Sequence, residues 1–109
     1  MRDDKVYLTH VLECIQYIFE YTQTGKEEFF KQRIIQDAVV RNLEIIGEAT
    51  KNISKEFRSQ NPDIPWREMA GLRDVLIHDY FGVDNHIVWS VVKNELPGLL
   101  KQIEELLKA

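Results

Sequence analysis

Within Gly71-Leu72-Arg73-Asp74-Val75-Leu76-Ile77-His78-Asp79-Tyr80, an arginine, a histidine and a tyrosine interrupt an otherwise core-like stretch. Arginine stays protonated and offers a planar fork of donors suited to phosphate, while histidine gives and takes protons near neutral pH. Together they suffice for phosphodiester chemistry. A neutral imidazole can take the proton of an RNA 2′-hydroxyl and a charged one can give a proton to the departing 5′-oxygen, each transfer contributing about 10²–10⁴-fold. A guanidinium then holds the phosphate between them. Asp74, four residues before His78, is spaced on a helix to hold one ring nitrogen and favour the charged imidazole. Taken singly, Arg73 and Asp74 read as surface charges and His78 as a helix-terminal cation. Their combination is what suggests a site.

The segment that carries them has a helical pattern. Pro65 is placed to open a helix at Trp66, and Trp66, Met69, Leu72, Leu76 and Tyr80 recur at three, three, four and four before Gly82 supplies a stop. This expectation puts His78 in or near the last turn. At about 100° per residue, Tyr80 falls almost directly above Arg73, whereas His78 is rotated roughly 140° from it. Either the helix distorts near its end, or a second copy of the chain supplies the missing partner across a two-fold axis, bringing two Arg73 and two His78 side chains into one cleft.

The neighbouring elements also read as helices. From Asp3 to about Thr22, Leu8, Leu12, Ile15 and Phe19 share one face, with Asp3 or Asp4 at the positive end. Gly25 breaks that pattern, and Lys26 to Lys31 reads as a short connecting turn. The longest helix runs from about Gln32 to Phe57, with Ile35, Ala38, Asn42, Ile45, Ala49 and Ile53 as its apolar series. On that series Asn42 requires a hydrogen-bond partner, and Gly47, at a cost of about 1 kcal/mol relative to Ala, marks close packing by a neighbour. Asn61-Pro62-Asp63-Ile64-Pro65 is a loop. Asp84 can cap a last helical stretch through Ile87, Val88, Val91 and Val92, which Pro97 kinks or splits before Leu99, Leu100, Ile103, Leu106 and Leu107. The fold class expected is all-α: an antiparallel four- to five-helix bundle in a single domain spanning 1–109.

Composition narrows the partners. With 109 residues, 44% hydrophobic and 29% charged, and only 5 Gly and 3 Pro, the chain suits a packed core and not disorder. Its net charge of -4, from 14 basic and 18 acidic residues, has the wrong sign for binding long nucleic acid through bulk electrostatics. Any RNA contact must therefore be local. The single Cys14 excludes an intrachain disulfide, has no metal-ligand spacing and reads as core, in keeping with a reducing cytoplasm. The charged start Met1-Arg2-Asp3-Asp4-Lys5 and the lack of any apolar run near the ~18 residues of a span argue against secretion and membrane insertion.

Nearly the whole chain resembles the HepT-like branch of the HEPN superfamily, a group of small ribonuclease toxins. The likeness rests on the long helix with Asn42 and Gly47-Glu48-Ala49, on Asp63-Ile64-Pro65-Trp66, on Gly71-Leu72-Arg73-Asp74 and on His78-Asp79-Tyr80. The chain departs from it at Asp74, where many relatives carry Asn. The resemblance implies a helical-bundle homodimer that cleaves RNA without metal or other cofactor, Arg73 and His78 being catalytic; the supporting role of Asp74 rests on its spacing alone. It further implies a type VII-like toxin–antitoxin pair, in which a cognate minimal nucleotidyltransferase restrains the toxin and adenylylates the motif tyrosine, here Tyr80. Adenylate there would add bulk and negative charge beside the phosphate-binding cation. Two rivals stand beside this reading. His78-Asp79 is also the dipeptide of metal-dependent phosphohydrolases, but only His10 and His86 remain as further histidines. The other is a non-catalytic helical dimer that binds a nucleotide or serves as partner subunit of a nucleotidyltransferase, with Arg73 used for phosphate recognition alone.

Overall fold

The computed structural model describes residues 3–78 and 82–108, with Val75, Ile77 and His78 described by their backbone. Its centre is α3 (Arg33–Lys51), whose buried residues Val39, Leu43, Ile46, Gly47 and Thr50 recur at helical spacing. Helix α1 (Asp4–Tyr21) packs along it through Leu8, Val11, Cys14, Ile15 and Ile18. Helices α5 (Trp66–Ala70) and α6 (Leu72–Leu76) cross it further along, and the C-terminal α8 (Leu96–Lys108) lies against α1. One core collects the apolar residues of all these helices. The chain is an all-α bundle of the HEPN-like kind expected, with one local two-residue ladder, β1 (Ile77–His78) against β2 (Gly82–Val83).

Ala49 and Ile53 are buried as expected, but the earlier part of the α3 stripe is rotated from the expected series. Ile35, Ala38, Asn42 and Ile45 are half-buried flanks, while the fully buried line is Val39, Leu43 and Ile46. The helix is apolar over a broad arc, so two adjacent series have almost the same spacing. Asn42 accordingly needs no distant partner: its Nδ2 donates to the Ala38 carbonyl at 2.9 Å. Thr50, fully buried, closes its hydroxyl on the Ile46 carbonyl at 2.7 Å in the same way.

The long helix also ends earlier than Phe57. It stops at Lys51, and a separate helix α4 (Lys55–Gln60) starts at Ser54. Ser54 is a better cap than interior residue: its Oγ accepts from the Phe57 backbone N–H at 3.1 Å. The Asp4 carboxylate then accepts from both the Ser54 N–H and its hydroxyl, each at 2.8 Å, tying the start of α1 to this corner. Lys26–Lys31, expected as a turn, is a short helix α2 after Gly25, whose φ of 97° uses the freedom glycine has. Acidic Glu27 and Glu28 in its first turn and Lys31 in its last suit the helix dipole, and fully buried Phe29 anchors it.

At the C-terminal end the Asp84 side chain caps α7 (Asn85–Ser90) as expected, accepting from His86 N–H at 2.9 Å. The break expected near Pro97 takes a definite form: five π-helical residues, Val91–Glu95, join α7 to α8. Proline has no N–H and its ring crowds the carbonyl four residues back, and a widened turn just before it accommodates both defects without ending the helix. The buried Cys14 thiol has its pKa raised, first by burial and then by Glu13, with Arg41 opposing, so it is an inert core side chain.

Gly47 carries the close contact inferred from its sequence position. A Cβ built there would lie 3.3 Å from the Met69 carbonyl oxygen and 3.5 Å from that of Ala70, so the backbones of α3 and α5 approach with no room for a branched side chain. Gly47→Ala should stay within about 1 kcal/mol of the parent, because gained helix propensity offsets the slight crowding. Gly47→Val should cost about 1–3 kcal/mol, read as a lowered midpoint in thermal or urea unfolding. A valine variant as stable as the parent would show that the two helices are free to separate.

Candidate active site

The motif segment is not one helix. Gly71 divides it, its N–H reaching back to the Arg67 carbonyl at 3.0 Å, and α6 runs only to Leu76. The backbone then turns extended, with Ile77 paired to Val83 and His78 to Gly82. Gly82, at φ 75°, permits the tight return. The expectation that His78 occupies a last helical turn is thus corrected: the β-branched residues near the end of the segment favour an extended backbone once an antiparallel partner is at hand. The roughly 140° offset between Arg73 and His78 and the helical step from Asp74 to His78 assumed an unbroken helix, and neither applies. The His78 side chain, Asp79 and Tyr80 lie outside the described residues, as therefore does the same-face relation of Tyr80 to Arg73.

Arg73 sits on the first turn of α6 with its side chain 67% exposed, and its Nε lies 3.8 Å from Oε2 of Glu44, a half-buried side chain of α3 that is 23% exposed. That distance is too long for a hydrogen bond, and an exposed pair of this kind contributes about 0–1 kcal/mol. What Glu44 supplies is direction, since it draws the guanidinium toward α3 and leaves the donor fork free for another anion. Asp74 is exposed, its backbone N–H bonded to the Gly71 carbonyl at 3.0 Å.

Beside this pair runs a groove of about 540 Å³ between α2–α3 and the β2–α7 corner. Val83, the strand partner of Ile77, forms one wall, and Glu44 and Arg41 form the other. Glu44, the ion-pair partner of Arg73, and Val83, the strand partner of Ile77, therefore line the same groove. Lys31 and Arg33 extend its cationic side, with Arg33 loosely paired to Asp37 at 3.7 Å. Arg41, Glu44 and Arg33 are the residues that sequence reasoning passed over. Their signal was a charged stripe at Arg33, Asp37, Arg41 and Glu44, spaced four, four and three along α3. Among the described residues no three His, Cys, Asp or Glu side chains gather as metal ligands, and no helix is long and apolar enough to cross a membrane.

Comparison with known proteins identifies the bundle. Residues 11–106 match the family model described as ribonuclease HepT-like. A protein of Thermococcus cleftensis named "Probable ribonuclease HepT" is 48% identical over 108 residues, which cover 98% of each chain. A "Putative RNase" of Caldanaerobacter subterraneus subsp. tengcongensis is 44% identical over 109 residues, covering 99% of this chain and 97% of the relative. A Methanocaldococcus jannaschii protein named "Gamma-glutamylcyclotransferase and putative RNase" is 48% identical over 108 residues, and there the chain spans only 49% of the relative's length. No solved structure matches. An all-α bundle, an exposed arginine at the head of a hairpin-forming motif, and a match running through almost the whole sequence agree: the chain belongs to the HepT-like ribonuclease family.

Proposed function

We propose that this protein is a metal-independent endoribonuclease acting in the cytoplasm as the toxin of a type VII-like toxin–antitoxin pair. The observation that carries the reading is Arg73: an exposed cation held loosely by Glu44, which lines a groove whose other border is Val83, in the strand that pairs with the one carrying His78. In the reaction a neutral His78 takes the proton from an RNA 2′-hydroxyl as that oxygen attacks the adjacent phosphorus. The P–O5′ bond breaks, a charged His78 protonates the leaving 5′-oxygen, and a 2′,3′-cyclic phosphate remains. Arg73 neutralises the charge on the non-bridging oxygens in the transition state. Asp74, exposed on α6 beside Arg73 in sequence, is the supporting residue of the motif.

Two histidines in opposite protonation states transfer the two protons faster than a single one can, and the motif supplies one per chain. A homodimer with a composite cleft brings two together. The restraining partner is a minimal nucleotidyltransferase encoded as the antitoxin, and Tyr80, two residues beyond His78, is the acceptor of adenylate. Adenylylation would bring a phosphate into competition with RNA for the motif's cation.

Purified protein in excess chelator should cleave RNA to fragments ending in 2′,3′-cyclic phosphate, and His78→Ala and Arg73→Ala should each lose about 10²–10⁴-fold in rate. Cleavage that requires added divalent metal, or an unimpaired His78→Ala, rules out this chemistry. No cleavage at all by parent protein would favour a nucleotide-binding partner subunit instead.

Mixing Arg73→Ala with His78→Ala chains should restore part of the activity, because the exchanged dimer carries one intact residue of each kind. A parent that sediments as a monomer at micromolar concentration defeats the composite cleft.

After coexpression with the nucleotidyltransferase, intact-mass analysis should show whole adenylate increments on the parent and none on Tyr80→Phe, which should still cleave RNA. A parent that is inhibited yet unmodified would assign inhibition to steric blocking.

A further inference from the structure

On the far side of Phe30 from the groove beside Arg73 lies a second cleft of about 770 Å³, between the end of α1, α2 and the α7–π junction. Its walls are aromatic. Trp89 lies 5.2 Å from Phe29 between ring centroids, and His86 lies 4.9 Å from Phe30, both pairs tilted by under 40°. Phe29 is fully buried and meets Trp89 of α7. Phe30 and Trp89 pack against the core yet stay half-buried, which leaves part of each ring open to the cleft they line, and His86 is exposed. Trp66 donates its indole N–H to the Asn61 carbonyl at 2.9 Å, whereas the indole N–H of Trp89 has no acceptor among the described residues. Large aromatic side chains with an unspent donor suit a planar ligand that carries acceptors.

The charge of the cleft is also selective. Lys26 and Lys93 line it, both exposed, and no aspartate or glutamate does, although the chain as a whole carries net charge -4. Ser90 and Asn94 form a polar edge, the Asn94 Nδ2 donating to the Ser90 Oγ at 3.3 Å. The volume falls within the ~300–1,000 Å³ of ordinary small-ligand sites. Phe30 borders both this cleft and the groove that ends at Glu44, the partner of Arg73. A chain-like ligand lying in the groove beside Glu44 can thus continue past Phe30 into the aromatic cleft.

We infer that this cleft is a base-binding subsite for single-stranded RNA, in which one unpaired base stacks on Trp89, Phe30 and His86 and its phosphate is held by Lys26 and Lys93. The inference deepens the ribonuclease reading and rests on it for the identity of the ligand. Stacking needs an exposed base face, which a duplex withholds, so the subsite selects loops and unpaired tracts. It also places affinity away from the reacting atoms, so that a strand is anchored beside the scissile bond by a base that is itself untouched.

The test uses the full-length protein and a fluorescein-labelled 2′-O-methyl octanucleotide, whose blocked 2′-oxygen prevents cleavage and isolates binding. The single strand should bind by anisotropy and quench indole emission, and a duplex of the same sequence should compete poorly. Trp89→Phe should abolish the quench. His86→Ala, an exposed substitution that leaves the fold intact, should weaken binding about five- to a hundredfold, as loss of one base–aromatic stack does. Combined Lys26→Glu and Lys93→Glu, also exposed, should weaken it about tenfold or more at low salt and flatten its salt dependence. Equal affinity of the lysine variant and the parent, a quench that survives Trp89→Phe, or equal competition by duplex overturns the subsite. A parent that binds the octanucleotide in this way yet never cleaves unmodified RNA removes the ribonuclease reading alone. One that cleaves RNA with a KM unmoved by the lysine substitutions removes the subsite alone.

Discussion

The contact between the backbone of α3 at Gly47 and the last carbonyls of α5 governs how the rest of the molecule is arranged. Because a Cβ at Gly47 would stand 3.3 Å from the Met69 oxygen, the two helices meet as bare chain, closer than side chains would permit. That proximity sets the height at which the chain leaves α5, turns at Gly71 and begins α6. Arg73 comes two residues later, and its partner Glu44 lies three residues before Gly47 on the same helix. A shift of α5 away from α3 would lengthen an ion pair that is already 3.8 Å long. Core geometry and the position of Arg73 are thus a single constraint.

The break after Leu76 has the complementary effect. A helix carried on through His78 would have set His78 roughly 140° around the cylinder from Arg73. Ending it and pairing Ile77 with Val83 brings the segment alongside β2, and with it to the edge of a groove whose floor is α3. A two-residue ladder has little stability of its own. It holds here because β2 runs directly into α7, whose start is fixed by the Asp84 cap.

The parts of this structure legible in the sequence were those where one residue admits one explanation. Asp84 as a cap, Gly47 as a close approach, Cys14 as core and Pro97 as a discontinuity each follow from a property that has no substitute. The all-α class follows from repeated spacing over long stretches. The errors arose where competing signals were nearly equal. Ser54 carries a helix-compatible neighbourhood and a strong capping preference, and the tertiary bonds from Asp4, fifty residues away, decide for the cap. On α3 two apolar series one residue apart fit the same period, and contact with α1 selects Val39, Leu43 and Ile46. Leu76-Ile77-His78 satisfies helical spacing and extended preference alike, and Gly82's return decides for the strand. Arg41 and Glu44 do not stand out in the sequence, because alternating charges on a long helix are ordinarily a solvated face.

The π-helical turns at Val91–Glu95 bear on how this chain can change length. An i→i+5 turn houses one residue more than an α turn, so the segment is in effect an insertion absorbed within a continuous helix. Elsewhere in the C-terminal helix, deleting a residue would rotate everything beyond it by about 100° and turn Leu99 and Ile103 out of the core. Within Val91–Glu95 the same deletion can relax the wide turn to an α turn and leave the phase of those leucine and isoleucine positions intact. The bundle therefore contains one point at which its longest run of C-terminal helix tolerates a change of reading length, and that point borders the aromatic cleft.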